Sequence, residues 1–236
     1  MILNATIEIK VKERLNKLSS NDYDNLECWQ IIEAFNKAQV EWCRRQLHGY
    51  NNFQEGDEYS KRRVDDLQVL LTETPLTGTT NDQFFESNNF PVDEYLQFKR
   101  ISVDATDECC TDPRSMTVYL VEEANIDLFL RDPLKKPDFE WGETMATLIN
   151  NTVRIYKNED FNLVSPVLTY YRLPRNIQIA DCINPYTGAT TVTDVTCELK
   201  DDVVELLIDE AASILAGDME NFNQYQREQQ AAERNN

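Results

Sequence analysis

Carboxylates are the side chains of this sequence best suited to catalysis or metal binding. Adjacent acidic pairs include Asp57/Glu58, Asp65/Asp66, Glu122/Glu123 and Asp201/Asp202. Converging carboxylates can act as a general acid and a general base, or they can hold a magnesium ion. Neighbouring residues point in different directions on a helix or a strand, so the members of such a pair do not converge. We interpret these pairs as charged faces and helix starts, and we predict a protein that is not an enzyme and holds neither a metal nor a cofactor.

Histidine chemistry is limited to one residue, His48. It falls in the last turn of a predicted helix beside Arg44 and Arg45, where the helix dipole favours cations. This position explains the histidine without a catalytic role. The sequence also lacks a phosphate-binding loop, a dinucleotide fingerprint and a nucleophile motif.

The cysteines raise the question of a metal or redox site. They are Cys28, Cys43, Cys109, Cys110, Cys182 and Cys197. The vicinal pair Cys109 and Cys110 suggests such a site, but metal ligands usually come as spaced pairs with further Cys or His partners. The spacing therefore favours free thiols in a reducing compartment, while the even count leaves a disulfide framework open.

The charge balance constrains the partners. The 236 residues carry a formal net charge of −19, with a pI near 4.4. A generic nucleic-acid-binding protein exposes a basic face to phosphate, whereas this chain as a whole repels DNA. The charge indicates either plain solubility or a surface that DNA passes without adhering. The strongest basic cluster is Lys61, Arg62 and Arg63, which is either a solvated helix face or a contact for an acidic partner.

The length and hydropathy predict a soluble globular protein. A hydrophobic fraction of 41% suits one large domain or two small ones. No stretch approaches the roughly 18 apolar residues that a membrane span requires. The N terminus lacks a basic region followed by a long apolar segment, so we expect no secretory signal.

Helical periodicity marks both ends of the chain. Helices are predicted over residues 2–18, 25–47 and 59–71, and a closing helix begins at Asp201 and ends at Gly217. The second helix has an apolar stripe of Trp29, Ile32, Phe35, Ala38 and Trp42. The stripe of the closing helix comprises Val203, Leu206, Leu207, Ala211, Ile214 and Leu215.

A polar arm, residues 218–236, follows the closing helix. Its only large apolar side chains are Met219, Phe222 and Tyr225. An arm of this composition buries too little surface to offset its ordering entropy. We predict that it orders on a partner, with these three residues as anchors.

The middle of the chain favours strands. Runs rich in β-branched and aromatic residues predict strands over residues 95–103, 116–121, 152–156, 167–172 and 176–180. Asn125 is predicted to cap a short helix, IDLFLRD, that ends before Pro133. Asn158 and Asp160 indicate a turn between strands. Arg172 and Arg175 flank Pro174, which ends pairing or lies on a sheet edge open to a second chain.

Together these patterns predict an α+β fold. The N-terminal helices and the C-terminal helix would form a helical bundle, with a β-rich insertion (a sheet or small barrel) between them. Residues 1–72 and 197–217 would form the bundle, residues 73–196 the insertion, and residues 218–236 the arm.

Three stretches carry a family resemblance. They are EEANIDLFLRDPLKKPDFEWGETMATLINNTVRIY, LTYYRLP and DDVVELLIDEAASILAGDMENFNQYQ. They resemble structural proteins of tailed bacteriophages, above all the ring proteins of the head–tail connector in crAss-like phages, and more loosely the connector adaptors of short-tailed phages. By motif the resemblance covers about the last half of the chain, and the rest is similar in layout only.

The resemblance implies a non-enzymatic virion protein that is assembled in the host cytoplasm. Its copies would form a ring, dodecameric to follow the portal, which extends the DNA channel and links the portal to the tail. Helices would build the ring wall, and the terminal arm would dock onto the portal protein, a neighbouring copy or other connector and tail rings. Genomic DNA would pass through the lumen without specific binding, and no membrane would be involved.

Three alternatives stay open at the level of the sequence. The chain could be another tail component, such as a tail-completion or nozzle protein. It could instead be an acidic host-directed binding protein that mimics DNA, or a carboxylate-dependent metal hydrolase.

Overall fold

The computed structural model of this chain describes residues 2–16, 26–48, 65–107, 112–218 and 230. These residues divide into two compact units. Unit 1 is drawn from residues 1–70 and 174–236, and unit 2 from residues 71–173. The longer α-helices in the described ranges are α1 (Asn4–Asn16), α2 (Cys28–His48), α3 (Ile126–Arg131) and α4 (Asp201–Asp218).

Unit 1 is built from α1, α2 and α4. On α1, Ile7, Val11 and Leu15 recur at four-residue steps and are fully buried, whereas Ile9 is exposed. That spacing places the three buried residues on one helical face. α4 packs against both other helices and buries two rows of apolar residues, which are Val203, Val204, Leu207, Ile208, Ala211, Ala212, Leu215 and Ala216.

An irregular segment, residues 174–200, belongs to unit 1 and is held by side-chain amides. Asn36 of α2 accepts a hydrogen bond from the Ile177 backbone N–H at 2.8 Å and donates to the Ile177 carbonyl at 3.4 Å. Asn4 of α1 donates to the carbonyls of Gln178 and Val195, at 2.7 and 3.0 Å. These bonds satisfy backbone groups that a segment with little regular structure cannot pair internally.

Unit 2 is a curled sheet of eight strands. The strands are β1 (Leu71–Pro75), β2 (Gly78–Thr80), β3 (Phe84–Ser87), β4 (Tyr95–Asp107), β5 (Arg114–Leu120), β6 (Glu143–Ile149), β7 (Thr152–Tyr156) and β8 (Phe161–Arg172). Their order across the sheet is β1-β8-β4-β5-β6-β7-β3-β2. The pair β5–β6 is parallel, with Thr117 opposite Glu143, and the other ladders are antiparallel.

Local backbone chemistry explains two of the connections. Asn150 and Asn151 join β6 to β7 with positive φ angles of 46° and 58°, and a two-residue hairpin turn of this type favours asparagine. At the start of β2, a Cβ added to Gly78 would lie 1.9 Å from the Glu86 carbonyl oxygen. A residue without a side chain is therefore required where β2 approaches β3.

Several predicted elements are confirmed. The strand predicted over residues 152–156 matches β7, the prediction over 95–103 falls within β4, and that over 167–172 falls within β8. The short helix after Asn125 is α3, and the turn at Asn158 and Asp160 joins β7 to β8. The closing helix begins at Asp201 as predicted.

Other predicted elements are wrong. The third helix was expected to reach residue 71, but the described part becomes a 3-10 turn at Gln68–Leu70, and Leu71 begins β1. Pairing of β1 with β8 overrides the helical spacing of Leu67 and Leu71. The strand predicted over residues 176–180 is reduced to one bridge between Gln178 and Val195.

The predicted fold class is contradicted. The chain is a mixed α/β protein with a largely β core and helices at both ends, and it is not a helical bundle with a β-rich insertion. The sheet is larger than predicted because β1, β2, β3 and β6 went unrecognised. β6 reads ETMATLI and lacks a run of β-branched residues, yet it pairs on both sides, with β5 and β7.

The prediction of free thiols is wrong for two cysteines. Cys28, the first residue of α2, forms a disulfide with Cys182 of the irregular segment. The partners are 154 residues apart in sequence, so spacing gave no sign of the pairing. Cys43 and Cys197 are free and buried. Cys109 and Cys110 lie outside the described residues.

We expect the disulfide to stabilise unit 1 by restricting its unfolded state. Replacing both partners in Cys28→Ser/Cys182→Ser should lower the free energy of unfolding by roughly 2–5 kcal/mol. Denaturant unfolding followed by tryptophan fluorescence measures this effect, since Trp29 and Trp42 both lie on α2.

The control is a reductant added to each form. The reductant should lower the denaturant concentration at the unfolding midpoint of the wild-type chain towards that of the double variant. It should leave the midpoint of the double variant unchanged. An equal decrease in both forms would show that another bond is responsible.

Candidate interaction surfaces

The first candidate surface lies on the connection between β5 and β6. Two parallel neighbours cannot be joined by a tight turn, so the chain must leave the sheet and return. Residues 121–142 make this crossover and include α3. Ile126 packs with Met145 and Tyr156 of the sheet, and Phe129 lies against the same cluster. These inward contacts hold α3 on the sheet and turn its other face outward.

Between Leu128 and Lys136 the outward face of the crossover combines exposed leucines with three exposed basic side chains, and Asp127 beside them is exposed as well. We define the crossover surface as Leu128, Arg131, Leu134, Lys135 and Lys136. Leu128 is 68% exposed and Leu134 is 86% exposed. Lys135 pairs with Asp132 at 3.8 Å and lies 5.2 Å from the centre of the Phe129 ring. Within the described ranges, no hydrogen bond, ion pair or ring contact engages the exposed side chains of Arg131 and Lys136.

Asp132 fixes the conformation of this surface. Its carboxylate accepts a hydrogen bond from the Leu134 backbone N–H at 3.0 Å. Its carbonyl accepts from the backbone N–H groups of Lys135 and Lys136, at 3.1 and 3.0 Å. Pro133 further restricts the backbone of this turn. The crossover surface is therefore preorganised, which lowers the entropy cost of binding.

The second candidate surface is a groove along α2 in unit 1. Two adjoining cavities of about 370 and 380 Å³ share Trp29, Glu33 and Tyr186. One extends towards Ile214 and Asp218 at the end of α4, and the other towards the irregular segment. We call this feature the α2 groove.

Aromatic side chains form the apolar part of the α2 groove. Tyr186 is 79% exposed and meets Trp29 edge-on, with 6.1 Å between ring centroids. The disulfide of Cys28 and Cys182 joins the element that carries Trp29 to the segment that carries Tyr186. An exposed aromatic pair of this kind is typical of protein-binding sites.

The charge of the α2 groove is mainly acidic. Glu33 and Asp218 line it with exposed side chains, and no ion pair engages either of them within the described part of the chain. Lys37 also lines it, but its ammonium lies 4.0 Å from the Glu41 carboxylate.

Other acidic residues of unit 1 are neutralised by neighbouring helices. Glu205 of α4 forms ion pairs with Lys10 and Arg14 of α1, and Arg14 also pairs with Asp209. Burial raises the pKa of Glu205, while hydrogen bonds from Lys10 and Arg14 lower it, and the resulting pKa is below the ordinary value. These carboxylates therefore hold the helices together.

Glu210 of α4 has the opposite shift. It is buried and accepts a hydrogen bond from Arg45 of α2. Burial raises the pKa of Glu210 more than Arg45 lowers it, so the resulting pKa is above the ordinary value. Its ionised form therefore lowers the stability of the folded state.

The site residues predicted from sequence lie elsewhere or outside the described ranges. Lys61, Arg62 and Arg63 are outside them, and so are Met219, Phe222 and Tyr225. Arg172 ends β8, and β8 lies between β1 and β4, so Arg172 is not on an edge strand. Arg175 follows the sheet and pairs with Glu198 at 3.9 Å.

Sequence reasoning missed both surfaces described above. The crossover surface has a visible signal, because LFLRDPLKK places leucines and basic residues close together around a proline. The α2 groove has a weaker one, since Trp29 was assigned to a buried helical stripe and is only half-buried. The contribution of Tyr186 depends on long-range folding.

Further chemistry in the described part of the chain is limited. There, no cluster of three or more His, Cys, Asp or Glu side chains could hold a metal ion. Burial raises the pKa of the Cys43 thiol to about 12 and that of Cys197 to about 11. Both thiols are therefore protonated at neutral pH and are poor nucleophiles. Across the same ranges, no helix has the length and apolar character that a membrane span requires.

No protein-family model and no curated protein sequence matches this chain.

The opposite pKa shifts on α4 generate a pH-dependent prediction. A raised pKa adds stability below the ordinary value of 4.5, and this contribution is lost as the pH rises through the folded-state pKa. We expect the free energy of unfolding of the wild-type chain, relative to Glu210→Gln, to fall as the pH rises from below 4.5 towards neutrality.

Glu205→Gln is the matched control on the same helix. Because the folded-state pKa of Glu205 is lowered, its contribution is present above the ordinary value of 4.5 and is lost as the pH falls. The difference between wild type and this variant should therefore rise with pH. Urea unfolding across a series of pH values measures the free energies of unfolding of all three forms. If the two differences from wild type changed with pH in the same direction, the opposite pKa shifts of Glu205 and Glu210 would be contradicted.

Proposed function

We propose that this chain is a structural subunit that assembles into a ring in the head–tail connector of a tailed bacteriophage. The observation that carries the proposal is a pair of exposed apolar surfaces, the crossover surface and the α2 groove, whose opposite charges include side chains that no ion pair engages among the described residues. The resemblance of three stretches between residues 122 and 226 to connector proteins supplies the biological setting. In this setting the ring lies below the portal, extends the DNA channel and links the portal to the tail.

The exposure of large apolar side chains supports a role in protein contacts. Leu128, Leu134 and Tyr186 are each more than half exposed. Apolar groups grouped with charged residues at their rim are characteristic of interaction sites. Two different surfaces, one on each unit, give each copy two places at which another protein can bind.

Such a pair of surfaces favours cyclic assembly. Heterologous contacts between identical copies close into a ring when the rotation per subunit allows it. Each copy adds a net charge of −19. A ring of acidic subunits would disfavour adhesion of DNA phosphates to its channel, as passage of the genome requires.

The C-terminal arm, residues 218–236, provides a further contact in this proposal. It begins at Asp218, the last residue of α4, which also lines the α2 groove. Met219, Phe222 and Tyr225 would anchor it on the portal protein or on a neighbouring copy. Docking would supply the buried apolar surface that the arm cannot provide by itself.

The proposal predicts self-association of the purified chain, on its own or with portal protein as a template. Sedimentation and native mass spectrometry should show oligomers, and electron microscopy should show rings. A monomer at every accessible concentration, both alone and with portal protein, would overturn the proposal. Rings located in another part of the particle would favour a tail-completion or nozzle role instead.

Deletion of residues 219–236 tests the arm separately. Because α4 is retained to its last residue, the truncated chain should keep its thermal stability and lose affinity for the portal. The Met219→Ala/Phe222→Ala/Tyr225→Ala variant should reproduce the loss. Portal capture that is undiminished by the truncation would remove the arm from the proposed function.

A further inference from the structure

We propose that the crossover surface of one copy binds in the α2 groove of the next copy. This inference rests on the proposed function, because it names the contact that links neighbouring subunits. The occupant of each surface is then a second copy of the same chain.

The first argument is complementarity of charge. In an acidic chain, Arg131 and Lys136 present exposed cationic groups that no ion pair engages within the described ranges. In the α2 groove, Glu33 and Asp218 are exposed and equally unengaged by ion pairs across those ranges. Opposite charges at two surfaces steer their association and disfavour other orientations.

The second argument is complementarity of apolar chemistry. Leu128 and Leu134 project from the crossover surface, whereas Trp29 and Tyr186 line a groove. Aliphatic side chains that enter an aromatic-lined concavity form the central part of many interfaces. The leucines therefore supply the buried centre of the contact, and the charges form its rim.

The third argument is the fixed conformation of both surfaces. The Asp132 turn holds Leu134 and Lys136. The disulfide of Cys28 and Cys182 fastens the irregular segment, and hence Tyr186, to α2. Two preorganised surfaces lose little conformational entropy when they meet.

The contact uses a different patch on each partner, because the crossover surface belongs to unit 2 and the α2 groove to unit 1. In a head-to-tail arrangement, such a contact leaves one unsatisfied surface at each end of an open chain, and ring closure satisfies both.

The decisive experiment compares substitutions at exposed positions, which leave the folded subunit intact. Leu134→Ala should weaken self-association about tenfold, as expected for loss of a central apolar contact. Val92→Ala is the matched control, since Val92 is also exposed on unit 2 but lies between β3 and β4. Sedimentation equilibrium measures the association constants, and equal constants for these two variants would overturn the inference.

A charge exchange tests the pairing itself. Lys136→Glu and Glu33→Lys should each weaken association, and the chain that carries both changes should recover most of the loss. Lys157→Glu, in the turn between β7 and β8, controls for the added negative charge. Failure of the double variant to recover, with both single variants impaired, would show that these surfaces do not meet.

The outcomes separate this inference from the proposed function. Wild-type rings with unimpaired Leu134→Ala and Lys136→Glu variants would overturn the inference and leave the proposed function standing. Weakened capture of the portal with unchanged self-association would assign the crossover surface to the portal instead of a second copy. A wild-type chain that never oligomerises, alone or with portal protein, would overturn both.

Discussion

Parallel pairing of β5 with β6 is the constraint on which the exposed features of unit 2 depend. Antiparallel neighbours can be joined by a short turn, as β6 and β7 are by two asparagines. Parallel neighbours require the chain to cross back over the sheet. The crossover must carry its own anchor, and Ile126 with Phe129 provides it. Because these side chains face the sheet, Leu128 and the turn after α3 lie on the opposite side of the crossover and are exposed to solvent. Their exposure is therefore a consequence of the topology.

Unit 1 has a comparable constraint in the way it distributes charge. α4 carries carboxylates beside an apolar face, and cations from the other helices pair with them. Lys10 and Arg14 of α1, and Arg45 of α2, fill that role. These ion pairs engage several of the relatively few basic residues of an acidic chain. The bases left without a partner are few in the described ranges, which is why Arg131 and Lys136 stand out.

Local signals in the sequence predicted elements well where one face is buried. The closing helix was predictable because Asp201 starts it and apolar residues recur at helical spacing. β7 was predictable from TVRIY, which is dominated by β-branched and aromatic residues. The size of the sheet was not predictable, since β1 continues a helical spacing and β6 lacks β-branched residues at most positions. Both strands owe their conformation to pairing with distant partners, β8 for β1 and β5 for β6.

The candidate surfaces were less predictable for the same reason. The combination of leucines and basic residues in LFLRDPLKK is visible in the sequence, but only the inward packing of Phe129 shows which of its apolar residues remain outside. Trp29 has the spacing of a core residue and lies at the margin of the helical core. Tyr186 reaches it through a segment whose attachment depends on Asn36 and on a disulfide between distant cysteines. Contacts between residues so distant in sequence produce no periodic pattern from which they could be predicted.

The net charge of the chain makes the location of exposed bases important, and within the described ranges few bases lack a partner. Two copies with a net charge of −19 each repel one another at long range, but salt screens interactions beyond about 8 Å at physiological ionic strength. At contact, only the charges within the interface matter. A self-association surface of such a chain must therefore exclude most of its carboxylates and include exposed bases. The crossover surface satisfies this requirement with two bases beside two exposed leucines, and it does so on a turn whose shape is already fixed.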